Sequence, residues 1–143
     1  MLSEKDLLIL GHLRSNARKT LTSISKETGI PTSTVFDKIR AHEKNIIKKH
    51  TSIIDFPKLG YNIRTKIMVG SKNKENILKF LLASKYVNSL YQISGQFDLL
   101  ADCIFRDMNE LCSFLEELEE FDINKKEVHH VINEIKREEF LGV

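Results

Sequence analysis

An α+β chain in two parts, a helical front and a mixed back, is what this sequence predicts, and three observations predict it. The first 45 of the 143 residues hold three helical segments, each with its own start or stop signal. Near residue 46 the apolar period shortens from helical to alternating. Beyond residue 60 the segments follow the order β-α-β-β-α-β.

Ser3 is a good N-cap, and Leu7, Leu8, Leu10 and Leu13 follow at helical spacing, so a first helix is expected over Glu4–Ser15. Thr20 caps a second helix, Leu21 to about Thr28, with Leu21, Ile24 and Ser25 turned inward and Gly29 as its left-handed stop. Pro31 suits the first turn of a third helix, with Thr32 and Ser33 near its start. Val35, Ile39, His42 and Ile46 form that helix's buried stripe, and Asn45 is its expected left-handed terminator. The β-branched run Ile46–Asp55 reads as a two-stranded wing. This shape, a winged helix-turn-helix, is assigned to residues 1–57, with the boundary at Pro57 to Gly60.

Residues 58–143 are assigned to a ferredoxin-like domain. The expected strands are Ile63–Val69, Val87–Ile93, Phe97–Phe105 and Glu127–Ile135. The expected helices are Lys74–Ser84, with Ile77, Leu78, Leu81 and Leu82 on one face, and a helix capped by Asp107 that runs to about Glu119. Such a sheet has helices on one face only, and self-association is the simplest cover for the other.

Charge supports a division of labour. Residues 1–60 carry 11 Lys and Arg against 6 Asp and Glu, a balance of +5, while the rest carry 11 against 14, a balance of −3. A polyanionic partner is therefore expected for the front alone. To enter a major groove, a helix needs an apolar back and short polar side chains near its N-terminus. Thr32, Ser33, Phe36, Asp37 and Arg40 supply the reading face of the third helix. Arg18, Lys19, Lys26, Lys38, Lys44, Lys48 and Lys49 are placed to hold phosphates.

No apolar run approaches the ~20 residues of a membrane span. Met1 to Asp6 lacks the apolar core of a secretory signal, so a cytoplasmic location and no membrane partner are expected. Cys103 and Cys112 form neither a ligand pair nor a disulfide framework and read as small buried hydrophobes. His129 and His130, adjacent on a strand, point to opposite faces and suit no single ion. The run Glu116–Glu120 lacks the glycine and spacing of a calcium loop. With no nucleophile–base pair, phosphate loop or metal pattern, no cofactor and no enzymatic activity are expected.

Taken together, several stretches resemble the Lrp/AsnC (feast/famine) regulators. They are Leu2 to Ile9, Ile24-Ser25-Lys26-Glu27-Thr28-Gly29-Ile30-Pro31-Thr32-Ser33-Thr34-Val35, Lys38-Ile39, Asn45 to Lys49, Leu59-Gly60-Tyr61 and Ser94-Gly95-Gln96-Phe97-Asp98-Leu99-Leu100. The likeness covers about residues 2 to 137. It implies a front half that binds double-stranded DNA as a homodimer. It also implies a back half, the RAM domain, that builds dimers and often octamers and binds small effectors, usually amino acids. The Gly-x-x-Asp turn of such proteins lines the effector site, which makes Gly95, Gln96, Phe97, Asp98, Lys126 and Val128 the candidate effector residues here. A rim of this kind can hold an ammonium on Asp98 and a carboxylate on backbone N–H groups.

Two departures stand out. Amino-acid-binding members often carry Gly-Val and then Thr-x-Thr near the last strand; this chain has Asp122-Ile123 and then Lys126-Glu127-Val128, so two hydroxyls are missing and a cation has appeared. At His42 the family usually keeps an apolar residue, and the histidine is expected to loosen the seam of the third helix. Two alternatives share the same plan. An architectural DNA binder would lack only the effector response. The sirohaem decarboxylases would carry a His-Asn-Tyr-Glu-Arg-like stretch where this chain has Asn88-Ser89-Leu90-Tyr91-Gln92, without histidine or arginine.

Overall fold

A computed structural model describes residues 1–143. The chain forms two compact units: Met1–Ile53 with Ile135–Val143, and Ile54–Glu134.

The first unit holds α1 (Glu4–Ser15), α2 (Leu21–Thr28) and α3 (Thr32–Asn45). Ser3 caps α1 in a reciprocal box, its side chain accepting from Asp6 N–H while the Asp6 carboxylate accepts from Ser3 N–H. Thr20 caps α2 by accepting from Ser23 N–H at 3.1 Å. Gly29, at φ 72°, ends that helix in the left-handed region that glycine enters without steric cost. Ile9, Ile24, Ile30 and Val35 form the buried centre, with Leu13, Leu21 and Ile39 against it.

Several expectations need correction. Pro31 is the N-cap of α3, one residue before its first turn. Asn45 remains helical; α3 ends at Ile46 in the right-handed region, and the His42 carbonyl accepts from both Ile46 and Ile47 N–H. Ile46 is exposed, one turn beyond the stripe's last buried residue. His42 does not loosen the seam, because its ring is buried and bonded to Asp6 Oδ1 at 3.0 Å. The wing is absent as paired strands: residues 47–55 form no regular element. That run contains no glycine or asparagine to make a tight turn, and a lone two-stranded ribbon has too little to bury.

Residues 135–143 lie along α1. Arg14 donates to the Phe140 carbonyl at 2.9 Å and pairs with Glu138, and Ser15 Oγ donates to the Val143 carbonyl at 2.7 Å. Gly11 permits this approach, since a Cβ there would sit 2.7 Å from the Leu141 carbonyl oxygen.

The second unit contains β1 (Ile63–Ser71), α4 (Lys74–Ala83), β2 (Val87–Gln92), β3 (Leu99–Phe105), α5 (Met108–Glu119) and β4 (Ile123–His130). The sheet order is β2-β3-β1-β4, with every described pair antiparallel. Inward residues of alternate parity, Ile67, Val69, Ala101, Cys103 and Phe105, meet Ile77 and Leu81 of α4 and Leu111, Phe114 and Leu118 of α5. Phe80, Tyr86, Phe105, Phe114 and Phe121 stack through this core at centroid distances of 4.8 to 6.2 Å.

β4 begins four residues before the expected Glu127 and ends at His130, because only Ile123 and Val128 of this strand turn toward the core. β3 begins at Leu99, so Phe97 belongs to the preceding connection. Leu78 and Leu82 do not share the buried face of Ile77 and Leu81 but are exposed. Cys112 is exposed, unlike Cys103.

On the opposite sheet face, Arg64, Lys66 and Met68 of β1 lie beside Leu100, Asp102 and Ile104 of β3. Asp102 is buried there. It accepts a two-point fork from Arg64 at 2.8 and 3.1 Å, lies 3.3 Å from Lys66 Nζ and accepts from Asn88 at 3.4 Å. Burial pushes its carboxyl up, but Arg64, Lys66 and Asn88 together hold it below the ordinary range.

Candidate functional site

The α2–α3 connection is fixed by short local bonds. Ser25 Oγ donates to the Ile30 carbonyl at 2.6 Å, Thr28 Oγ1 donates to the Ile24 carbonyl at 2.6 Å, and Ile30 is buried in the turn. Val35 and His42 bury the back of α3. The Asp6 carboxylate anchors that back from α1: Lys38 Nζ lies 2.8 Å and His42 Nε2 3.0 Å from its Oδ1. The hydrogen bond from Lys38, with those from Ser3 and His42, holds the Asp6 carboxyl well below the usual carboxylate range.

This anchoring leaves the other side of α3 outward. Thr32, Ser33, Phe36, Asp37 and Arg40 are all exposed. They follow one another at one, three, one and three residues, the spacing of a single helical face. The Arg40 guanidinium carbon lies 5.6 Å from the centroid of the exposed Phe36 ring, a cation–π arrangement that steadies an otherwise flexible donor. Arg18, Lys26, Lys44, Lys48 and Lys49 are exposed in the same unit.

Two predicted phosphate contacts are placed differently from their expectation. Lys38 is turned to Asp6. Lys19 is held between His12 Nδ1 at 2.8 Å and Glu27 at 2.6 Å, and this lysine draws the Glu27 carboxyl below its usual range. Lys38 reaches α1 from 32 residues away, and Lys19 bridges both neighbouring helices from the connection between them, so helical periodicity carried no sign of either pairing.

In the second unit, the connection between β2 and β3 holds Gly95 at φ 102°, a left-handed turn that favours glycine. Gln96 is exposed beside it, and Phe97 is half-buried. Asp98 is a clasp. Its N–H donates to the Val69 carbonyl, its carbonyl accepts from Ile93 N–H, and its Oδ2 accepts from Ser71 N–H at 3.2 Å. Lys74 Nζ stands 3.1 Å from its Oδ1. Lys74, the Ser71 amide and, more distantly, Lys125 hold the Asp98 carboxyl below its ordinary value.

Asp98 opens onto a cavity of about 180 Å³ lined by Lys74, Leu78, Leu82, Leu90, Gln92 and Leu99. Of the predicted effector residues, only Asp98 lines it. Lys126 is on β4, two strands from β3, paired with Glu119, and Val128 packs against the core. Sequence reasoning missed Lys74, Leu78, Leu82 and Leu90. The signal was present in α4, whose four leucine and isoleucine positions span more of the circumference than one core face needs.

Elsewhere, His129 pairs with Glu127 at 3.0 Å and His130 Nδ1 lies 3.1 Å from Thr65 Oγ1. No helix is long and apolar enough to cross a membrane.

Comparisons with known proteins agree with this geometry. Residues 2–41 match a family model described as a winged helix-turn-helix DNA-binding domain. Residues 65–140 match the Lrp/AsnC ligand binding domain. An HTH-type transcriptional regulator of Pyrococcus abyssi is 32% identical over 82% of this chain and 79% of its own length. The HTH-type transcriptional regulator FL11 of Pyrococcus horikoshii is 31% identical over 80% of this chain and 78% of its own. Among solved structures, a transcriptional regulator of Neisseria meningitidis in complex with L-Met superposes with a TM-score of 0.87 at 21% identity, covering 96% of this chain and 94% of that one. AsnC of E. coli superposes with a TM-score of 0.83 at 20% identity, covering 96% of each.

Proposed function

Because the chain belongs to the Lrp/AsnC family of helix-turn-helix transcription regulators with a ligand-binding domain, we propose that it is a self-associating, sequence-specific binder of double-stranded DNA whose second unit responds to a small metabolite. The observation that carries this reading is the outward face of α3, where Thr32, Ser33, Phe36, Asp37 and Arg40 stand exposed on a helix pinned from behind by Asp6. The roles follow from chemistry. Arg40 forks onto the acceptor edge of guanine, Thr32 and Ser33 donate or accept, Asp37 accepts from a cytosine amino group, and the Phe36 edge meets a thymine methyl. Arg18, Lys26, Lys48 and Lys49 contact phosphates, with Lys19 and Lys38 reaching them only by leaving their carboxylate partners.

Self-association supplies what a single copy lacks. Two copies present two copies of α3 to successive turns of one groove, about 34–36 Å apart. The sheet face around Leu100 and Met68 is the surface a second copy would cover; higher assembly, to an octamer, builds on that pair. The effector enters the cavity beside Asp98. The site of action is the cytoplasm.

The test is a mobility shift on DNA upstream of the protein's own gene, titrated with salt and with unrelated competitor. Binding that survives competitor and weakens steeply with salt is expected. Equal affinity for every DNA would remove the sequence-specific part of this reading, specific binding that no metabolite changes would replace it with that of an architectural binder, and no binding with or without metabolites would sink it.

A further inference from the structure

The cavity beside Asp98 has a polarity of its own. Lys74, Leu78 and Leu82 recur every fourth residue, so one face of α4 runs about 12 Å, at 1.5 Å per residue, from a cation at its N-terminal end to the apolar pair Leu78 and Leu82. Leu90 and Leu99 face that stripe from the sheet. The space, about 180 Å³, is somewhat larger than the roughly 150 Å³ apolar cavity that accepts benzene, so it suits a branched aliphatic or phenyl body.

A zwitterionic amino acid needs a carboxylate for its ammonium and donors for its carboxylate. Asp98 is the one carboxylate among the lining residues, and the chain's own ammonium, Lys74 Nζ, already stands 3.1 Å from it. Being tethered, that ammonium competes at a high effective concentration with any free amine. Lys125 adds a second positive charge close enough to act on Asp98. Among the lining residues Lys74 thus neutralises the one carboxylate, which leaves no free counter-charge for an incoming ammonium and a cation to receive an anion. Lys74 has three donors, and Asp98 takes one of them, leaving the others for a bound carboxylate.

We infer that the α4 cavity takes an apolar monocarboxylate without an α-ammonium group, such as a branched-chain 2-oxo acid, with its carboxylate on Lys74 and its hydrocarbon on Leu78, Leu82, Leu90 and Leu99. This rests on the effector reading proposed above and names the class of its ligand.

The experiment is isothermal titration of the full chain with two probes of matched hydrocarbon, 4-methyl-2-oxopentanoate and L-leucine. DNA affinity is measured on the same preparation. Lys74→Met keeps the exposed side chain's length and removes its charge. The 2-oxo acid should bind at least tenfold more tightly than leucine, and Lys74→Met should lose at least that factor for the 2-oxo acid while narrowing or reversing the preference. Leucine binding as tightly as the 2-oxo acid, or a 2-oxo acid affinity that Lys74→Met leaves unchanged, overturns the ligand class and leaves the effector pocket standing. Binding of neither probe overturns the ligand class and the pocket together, while DNA affinity reports independently on the first unit.

Discussion

Consider what the buried carboxylate on the open sheet face does for the second unit. Asp102, with its side chain only 3% exposed, holds Arg64, itself 18% exposed, in a two-point fork. Asp102→Leu removes one partner and leaves two cations, Arg64 and Lys66, side by side on β1. Removing one member of a buried ion pair costs about 3–5 kcal/mol. Two features reduce that here: Arg64 keeps its contact with Glu134, and Lys66, 37% exposed, can turn to water. The expected loss is therefore roughly 2–3 kcal/mol. The double variant Arg64→Met/Asp102→Leu replaces the pair with apolar groups and should return to within about 1 kcal/mol of the parent. Urea denaturation at one fixed protein concentration measures all four corners of the cycle, with sedimentation under the same conditions checking that the four share one assembly state. Strict additivity, with the double variant as damaged as the sum of the singles, would refute the account, because it would mean that the two side chains contribute separately and not as a pair.

Four further outcomes are expected. Arg40→Ala should cost about 1–3 kcal/mol at one operator position and little on unrelated DNA, read by fluorescence anisotropy; equal losses on all sequences would remove its base-reading role. Gly11→Ala places a Cβ 2.7 Å from the Leu141 carbonyl oxygen and 2.9 Å from Val143 Cγ1, so residues 135–143 must lift from α1, and limited proteolysis should trim them faster than in the parent. Burial pushes the Cys103 thiol up to about 12, so native protein should take up one equivalent of iodoacetamide, at the exposed Cys112, and two only after unfolding. Finally, Asp6, Asp98 and Asp102 all have carboxyls held low in the folded chain, so the stability they contribute is complete above the unfolded carboxylate value of about 3.9 and is lost as pH falls through their lower folded values; thermal melts should be flat near neutrality and drop below about pH 4.

The helical front was legible because its signals are local. Ser3, Thr20 and Gly29 each mark a boundary within one turn of where they act, and the structure places α1 and α2 within those limits. What escaped is long-range or edge-like. Asp6 reads as a capping residue, yet it also receives Lys38 and His42, 32 and 36 residues away. β4 is an edge strand with two inward residues in eight, so alternation faded and the more β-branched stretch downstream looked stronger. The run at Ile46–Asp55 shows the converse, since β-branched residues favour extended backbone but cannot supply a partner strand. At the candidate effector site, the turn at Gly95 and the role of Asp98 as a rim residue were readable from residue types. The occupation of Asp98 by Lys74 was not, because it depends on where α4 begins relative to the end of β1.

The placement of residues 135–143 bears on how the protein is made. The helical unit is discontinuous: its last strip of surface, on Gly11, Arg14 and Ser15, is covered by residues synthesised after the entire sheet. A ribosome can release α1, α2 and α3 early, and their contacts with one another are close in sequence and quick to form. Yet that unit gains its final strip only when the chain has passed through every strand of the other. A newly made copy therefore finishes its helical unit last, after the ligand-binding sheet is in place. Removal of residues 135–143 is felt first by the helices that bear the outward face of α3.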